Sequence, residues 1–134
     1  MKIEIGQKAS FSKTITETDV YNYAGVVGDF NSVHINKEIA RNSIFKDRIA
    51  HGMLVGSLIS TVLGTKLPGD GTIYLEQNIK FKAPVYLGDT VTAIVEVTKV
   101  LNKDKGIYQL NTTVVNQKDE CVIVGLAVVQ YNDK

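Results

Sequence analysis

The stretch from Gly52 to Thr65, GMLVGSLISTVLGT, is apolar almost all the way round. A helix without a polar face has to be surrounded by protein. The wider apolar run, Ile49 to Leu67, contains His51, three glycines and Lys66, and falls short of the ~20 clean apolar residues that a membrane span needs. The sequence therefore predicts a buried helix over 52–65 and no transmembrane segment.

The apolar pattern changes its period after this helix. Residues 78–83, NIKFKA, alternate polar and apolar side chains, which predicts a strand with one buried face. Residues 90–101, 107–116 and 121–131 are rich in β-branched side chains and are separated by polar turns, which predicts antiparallel hairpins. A curved sheet wrapped around the one helix gives both a shared core. We therefore expect an α+β hot-dog fold.

The chain before the buried helix carries recognisable helix signals. The pattern predicts a strand over 9–15 and then a helix over 17–27, which starts at the capping-box-like TETD and ends at Gly28. A loop over 29–34 follows, and Asn36 is expected to cap a short helix over 37–41.

Composition bounds the class of protein. The 134 residues predict one domain, residues 1–134. A net charge of +1 argues against a nucleic-acid partner. A single cysteine, Cys121, predicted to pack in a core strand, allows neither an internal disulfide nor a cysteine metal cluster.

No signal-like run opens the chain, so we expect a cytoplasmic protein without a membrane partner. The uncovered edges of such a sheet favour a homodimer.

Two histidines, His34 and His51, lie between the first helix and the buried one. In Asp29-x-Asn31-x-x-His34, a carboxylate and an imidazole on one tight loop can converge on a single water and act as base and acid. Asn31 could orient the loop or the substrate. The alternative is structural: Asp29 caps the following turn and His34 is a surface imidazole.

Gly52 stands where a loop enters the buried helix, in AHGML. The free N–H at a helix start, helped by the helix dipole, can stabilise an oxyanion on a thioester or carbonyl. The alternative is a glycine needed only for packing. His51, next to it, is expected to fix the loop shape, and its role stays open.

Together, DFNSVH at 29–34 and AHGML at 50–54 resemble the MaoC-like (R)-specific enoyl-CoA hydratases. YAGVVGD at 23–29, LPGDGTIYL at 67–75 and FKAPVYLGD at 81–89 extend the resemblance over nearly the whole chain. It is strongest to the short members with one hot-dog domain, which supply monomers for polyhydroxyalkanoate synthesis. One departure is Ser32, where the family usually has proline.

The resemblance implies syn hydration of a trans-2-enoyl-CoA of short to medium chain length, giving the (R)-3-hydroxyacyl-CoA. Asp29 would accept a proton from the attacking water, and His34 would hold that water and help to deliver a proton to C2. The N–H of Gly52 would stabilise the enolate-like charge on the thioester oxygen. The resemblance implies no metal or redox cofactor, because proton transfers and a backbone dipole suffice. Coenzyme A is part of the substrate.

Substrate contacts are expected from four further positions. Asn31 and Ser60 would assist, Ser60 because it lies about two helical turns beyond Gly52. Val62 and Leu63 are expected to close the end of the acyl tunnel. Two other functions stay open: an acyl-CoA thioesterase on the same scaffold, which would release free CoA, and a non-catalytic acyl-CoA-binding module.

Overall fold

The computed structural model describes residues 2–132. In chain order the elements are β1 (Lys8–Thr14), α1 (Glu17–Val27), α2 (Ser32–Ile35), α3 (Lys37–Arg41), α4 (Gly52–Thr65), β2 (Ile73–Phe81), β3 (Thr90–Asn102), β4 (Ile107–Val115) and β5 (Cys121–Gln130). In this described part, no helix is both long and apolar enough to cross a membrane.

The five strands form one antiparallel sheet in the order β1-β3-β4-β5-β2. Helix α4 packs on one face of this sheet, and the two together enclose the core. Strands β1 and β2 lie at the two edges. This is the α+β hot-dog arrangement that the sequence predicts.

Every second side chain along β3, from Val91 to Val97, faces the core, and these side chains form part of its sheet side. Val91, Ala93, Val95 and Val97 are all fully buried, and the residues between them are only partly buried. From the helix side, α4 contributes a buried group: Val55, Leu58, Ile59, Val62 and Leu63. Burial of one such side chain stabilises the fold by about 1.5–3 kcal/mol. This packing fixes α4, and with it the position of its first residue.

Helix α1 has the predicted caps at both ends. The Thr16 hydroxyl accepts from the Asp19 N–H at 3.0 Å, and the Asp19 carboxylate accepts from the Thr16 N–H at 2.9 Å. At the other end Gly28 adopts φ 81°, a left-handed conformation that favours glycine. The chain therefore leaves α1 at a defined angle, directly before Asp29.

Two predictions about burial are wrong. Helix α4 is not covered all round, because Met53, Ser57 and Ser60 are exposed on its outer face. The side chains there are mostly small, so hydropathy alone did not reveal an exposed face. Strand β2 ends at Phe81, which is exposed, whereas Ile79 and Ala83, the other two residues of the predicted apolar face, pack against the core.

Two smaller differences concern local structure. The predicted loop over 29–34 contains the start of α2, a single turn that begins at Ser32. Cys121 is exposed instead of packed in the core, because it is the first residue of β5 and lies beside a polar turn.

Candidate active site

The segment between α1 and α2 is held by its own side chains. The Asp29 Oδ1 atom accepts from the Asn31 N–H at 3.1 Å, and the Asn31 Oδ1 atom accepts from the Val33 N–H at 3.2 Å. The second bond caps α2 and satisfies one of its free donors. Since α2 carries His34, the cap also fixes the backbone from which the imidazole projects.

His34 is buried, with 8% of its surface exposed. Its Nδ1–H donates to the carbonyl oxygen of Ile49 at 2.7 Å. Because a carbonyl can only accept, this bond assigns the proton of the neutral ring to Nδ1 and leaves the lone pair on Nε2. Burial lowers the pKa of His34 below 6.5, against the opposing influences of the Ile49 bond and the Asp29 charge.

Asp29, His34 and His51 form a compact cluster, because each contributes a polar side-chain atom that lies within 4.8 Å of the other two. Hydrogen bonds of about 2.8 Å on either side let one water bridge two polar atoms as far apart as ~5.6 Å. The structure therefore brings the predicted Asp29 and His34 together within reach of one water.

The same cluster is less suited to a metal ion. The His34 and His51 rings stack, with centroids 3.9 Å apart and planes at 28°. An imidazole binds a metal near its ring plane, and two stacked rings direct their lone pairs along nearly parallel planes. Each ring also has one nitrogen engaged by a backbone carbonyl. Proton transfer fits this arrangement better than metal ligation.

Gly52 is the first residue of α4 and lines the same cavity as Asp29 and His34. Its N–H has no acceptor among residues 2–132, as expected for the first turn of a helix. A Cβ atom on Gly52 would lie 2.6 Å from the Phe81 ring, so a side chain at this position would force that ring to move. The glycine therefore leaves an unpaired donor that a ligand can approach closely.

The cavity has a volume of about 590 Å³, within the usual range for small-molecule sites. Its lining is mostly apolar. Sequence analysis missed a group of wall residues that come from four separate segments: Val27, Phe45, Met53, Phe81 and Lys82. No sequence spacing connects these positions, and only the fold brings them together.

The segment before α4 forms one wall and is anchored on two sides. The Ile49 N–H donates to the Val33 carbonyl at 3.2 Å, and the Ala50 N–H donates to the Val85 carbonyl at 2.7 Å. Farther out, the Arg48 guanidinium donates to the Tyr21 hydroxyl at 2.8 Å and pairs with Glu17 on α1. That guanidinium holds the pKa of the Glu17 carboxyl below its usual value.

The four predicted substrate contacts lie elsewhere. Asn31 does not line the cavity, and its side chain caps α2. Ser60 lines a second depression, of about 280 Å³, between α4 and β2. Eight residues of helix turn Ser60 by about 80° and move it ~12 Å from Gly52, so the two face different spaces. Val62 and Leu63 are enclosed in the core and do not line the cavity.

Known proteins resemble this chain along most of its length. Residues 2–119 match the family model described as the MaoC like domain. An (R)-specific enoyl-CoA hydratase of Rhodospirillum rubrum is 48% identical over 128 residues, which cover 96% of this chain and 83% of that protein. An (R)-specific enoyl-CoA hydratase of Aeromonas caviae is 44% identical, over 96% of this chain and 95% of that protein.

Solved structures agree with the sequence comparisons. The A. caviae (R)-hydratase, described as involved in PHA biosynthesis, has a TM-score of 0.93 at 44% identity, covering 97% of this chain and 98% of that one. An R-hydratase of Pseudomonas aeruginosa, in its unliganded form, has a TM-score of 0.93 at 42% identity, covering 98% and 84%. The hot-dog fold predicted from the sequence is thereby confirmed.

Proposed function

The chain belongs to the MaoC-like domain family, and we propose that it is an (R)-specific enoyl-CoA hydratase. It adds water across the double bond of a trans-2-enoyl-CoA to give the (R)-3-hydroxyacyl-CoA, and it catalyses the reverse dehydration. The observation that supports this most strongly is local. The Asp29 carboxylate and the His34 imidazole approach within 4.8 Å on the wall of an apolar cavity.

The position of the proton on the His34 ring decides the roles of His34 and Asp29. The Nδ1–H of His34 is used by Ile49, so Nε2 accepts a hydrogen bond from the attacking water. Asp29 accepts the other water proton as the oxygen bonds to C3 of the substrate. The proton held by Asp29 then moves to C2, and His34 helps to deliver it. The net change is addition of one water, and both side chains end in their starting states.

The developing negative charge needs a donor at the thioester oxygen. The Gly52 N–H, unpaired at the start of α4, is in place to stabilise the enolate-like oxyanion, and the helix dipole adds partial positive charge there. Proton transfers and this peptide dipole suffice for the chemistry, so the proposal requires no metal or redox cofactor.

The cavity suits an apolar acyl chain of short to medium length. Its wall is mostly apolar, while Lys82 contributes a cationic side chain. The sequence-based prediction that Asn31, Ser60, Val62 and Leu63 contact the substrate stays a prediction. The (R)-3-hydroxyacyl-CoA product has the form of a polyhydroxyalkanoate monomer, in keeping with the stated role of the A. caviae relative.

We further propose that the enzyme is a homodimer formed through α4 and β2. Strand β2 is an edge strand, and unpaired edges invite pairing with a second chain. Beside this edge, Met53 on α4 is 55% exposed and Leu75 on β2 is 45% exposed. A second copy would cover both apolar side chains and the depression between the two elements.

We also propose a cytoplasmic location. The one cysteine, Cys121, is free and exposed, which suits a reducing compartment.

The assay that tests the activity separates two reactions of the same thioester. A C4 trans-2-enoyl-CoA is incubated with the protein while enoyl absorbance and free CoA are both followed. Hydration predicts loss of enoyl absorbance, (R)-3-hydroxyacyl-CoA as product and no release of CoA. Release of CoA without hydration would instead indicate a thioesterase and contradict the proposal.

A further inference from the structure

His51 is the second buried imidazole of the site, and the hydration chemistry assigns it no task. Only 3% of its surface is exposed. It stands at the N-terminal cap of α4, yet its side chain makes no capping hydrogen bond. A buried polar ring that does not cap its own helix needs another explanation.

The contacts of His51 provide one. Its Nε2–H donates to the backbone carbonyl of Asp29 at 2.9 Å. Its ring stacks on that of His34, with centroids 3.9 Å apart, and lies at an angle to the Tyr23 ring, with centroids 4.9 Å apart. Its own carbonyl carbon is bonded to the nitrogen of Gly52. His51 thus contacts the backbone of Asp29 and the ring of His34, and it directly precedes Gly52 in the chain.

The remaining nitrogen is informative as well. The Nδ1 atom of His51 is buried without a hydrogen-bond partner among the described residues. Because the Asp29 carbonyl can only accept, the neutral ring carries its proton on Nε2, and Nδ1 holds a lone pair. A tautomer with the proton on Nδ1 would bury an unpaired donor and would also lose the bond to Asp29.

We infer that His51 is a positioning residue, which acts through Asp29 and fixes its carboxylate relative to His34 and the Gly52 amide by donating to the Asp29 carbonyl. The inference rests on the proposed function. The hydrogen bond is the principal contact because it is directional, whereas a stacked ring can slide in its plane. An error of about 1 Å in such a group can cost about 10²-fold in rate.

Two substitutions separate the donor from the ring. His51→Phe keeps an aromatic ring against His34 but loses the donor, and we expect kcat to fall by 10-fold or more with KM changed less than about 3-fold. His51→Gln loses the ring but can place an amide N–H near the position of Nε2, and we expect kcat within about 3-fold of native. Circular dichroism and thermal unfolding establish that each variant is folded.

A second measurement uses the unmodified protein. In ¹⁵N-labelled native protein at mildly alkaline pH, the imidazole shifts of His51 should report the Nε2–H tautomer. An Nδ1–H tautomer, a His51→Phe variant as active as native, or a folded His51→Gln variant slowed as much as His51→Phe would each overturn the inference. If His51→Phe fails to fold, a His51→Gln variant slowed 10-fold still overturns it.

Failure of the proposed function would look different. It would leave the native protein without hydration of the C4 enoyl-CoA, whereas failure of this inference alone leaves native hydration intact. The tautomer readout does not depend on activity, so it tests the hydrogen bond in either case.

Discussion

At the scale of single residues, the proposed hydration depends on two side chains with complementary tasks. Asp29 is exposed and offers a carboxylate, and His34 is buried and has one nitrogen hydrogen-bonded to a backbone carbonyl. The difference in environment lets one group take a proton while the other orients the water.

Replacement of the carboxylate gives the first prediction. Asp29→Asn keeps the shape but loses the base, so hydration should slow by about 10²–10⁴-fold, or ~3–5 kcal/mol of barrier. Steady-state hydration of a C4 enoyl-CoA measures this. Asp70→Asn, a matched change in the exposed turn after α4, should keep native kcat. Turnover near native in Asp29→Asn would remove Asp29 from the mechanism.

The second prediction concerns pH. Burial lowers the pKa of native His34 below 6.5, the value for a free imidazole. As pH falls through that value, the unfolded chain binds a proton that native His34 does not bind, so His34 lowers the stability on the acid side. The free energy of unfolding should therefore fall as pH decreases from 6.5 to the lower native pKa.

An NMR titration of the His34 imidazole measures the native value directly. The midpoint should lie below 6.5, and the neutral ring should persist through neutral pH. A midpoint above 6.5 would mean that a charged partner, and not burial, dominates the environment of His34.

Part of this site was predictable from the residues. The spacing of Asp29 and His34 on one short segment predicted that they could meet, and the structure places them within reach of one water. The stack of His51 on His34 was not predictable, because it depends on how a segment 17 residues farther on returns to α2. The contact of Phe81 with Gly52 depends in the same way on the fold.

At the scale of elements, the first turn of α4 joins the core to the chemistry. Its inner face is fixed by packing against the sheet, and its first residue, Gly52, lines the cavity. Apolar pattern and capping residues predicted α1 and α4 with correct bounds, because both signals are local. The exposed outer face of α4 was not predicted, because its side chains are mostly small and do not stand out as a polar stripe in the apolar pattern of the helix.

The third prediction isolates the Gly52 N–H. A direct Gly52→Pro change removes the donor but also collides with Phe81, since even a Cβ atom there lies 2.6 Å from the ring. The proline variant and its control, Gly52→Ala, are therefore each combined with Phe81→Ala. With that space opened, Gly52→Ala keeps the N–H and Gly52→Pro removes it, while proline suits the first helical position.

The quantity to compare is kcat of the two double variants. The proline variant should be slower than the alanine variant by about 10²–10³-fold in kcat, the usual loss for one oxyanion donor. Equal rates in two folded proteins would place the oxyanion donor at another residue.

At the scale of the whole molecule, pairing of chains is the fourth prediction. Light scattering after gel filtration should give about twice the chain mass of 14.7 kDa. Leu75→Lys puts a charge on the exposed face of β2 and should shift the protein toward monomer. Val100→Lys on β3, where the native side chain is similarly exposed, should leave the mass unchanged. A monomeric native protein, or equal dissociation of both variants, would contradict an interface through α4 and β2.

The central claim is that Asp29 and His34 act on one water at one face of the double bond. Hydration of a C4 trans-2-enoyl-CoA in D₂O tests it directly, because the product records where deuterium enters at C2. We predict one (3R) diastereomer, with deuterium and the new hydroxyl added to the same face. A mixture of C2 diastereomers, or addition to opposite faces, would contradict the account.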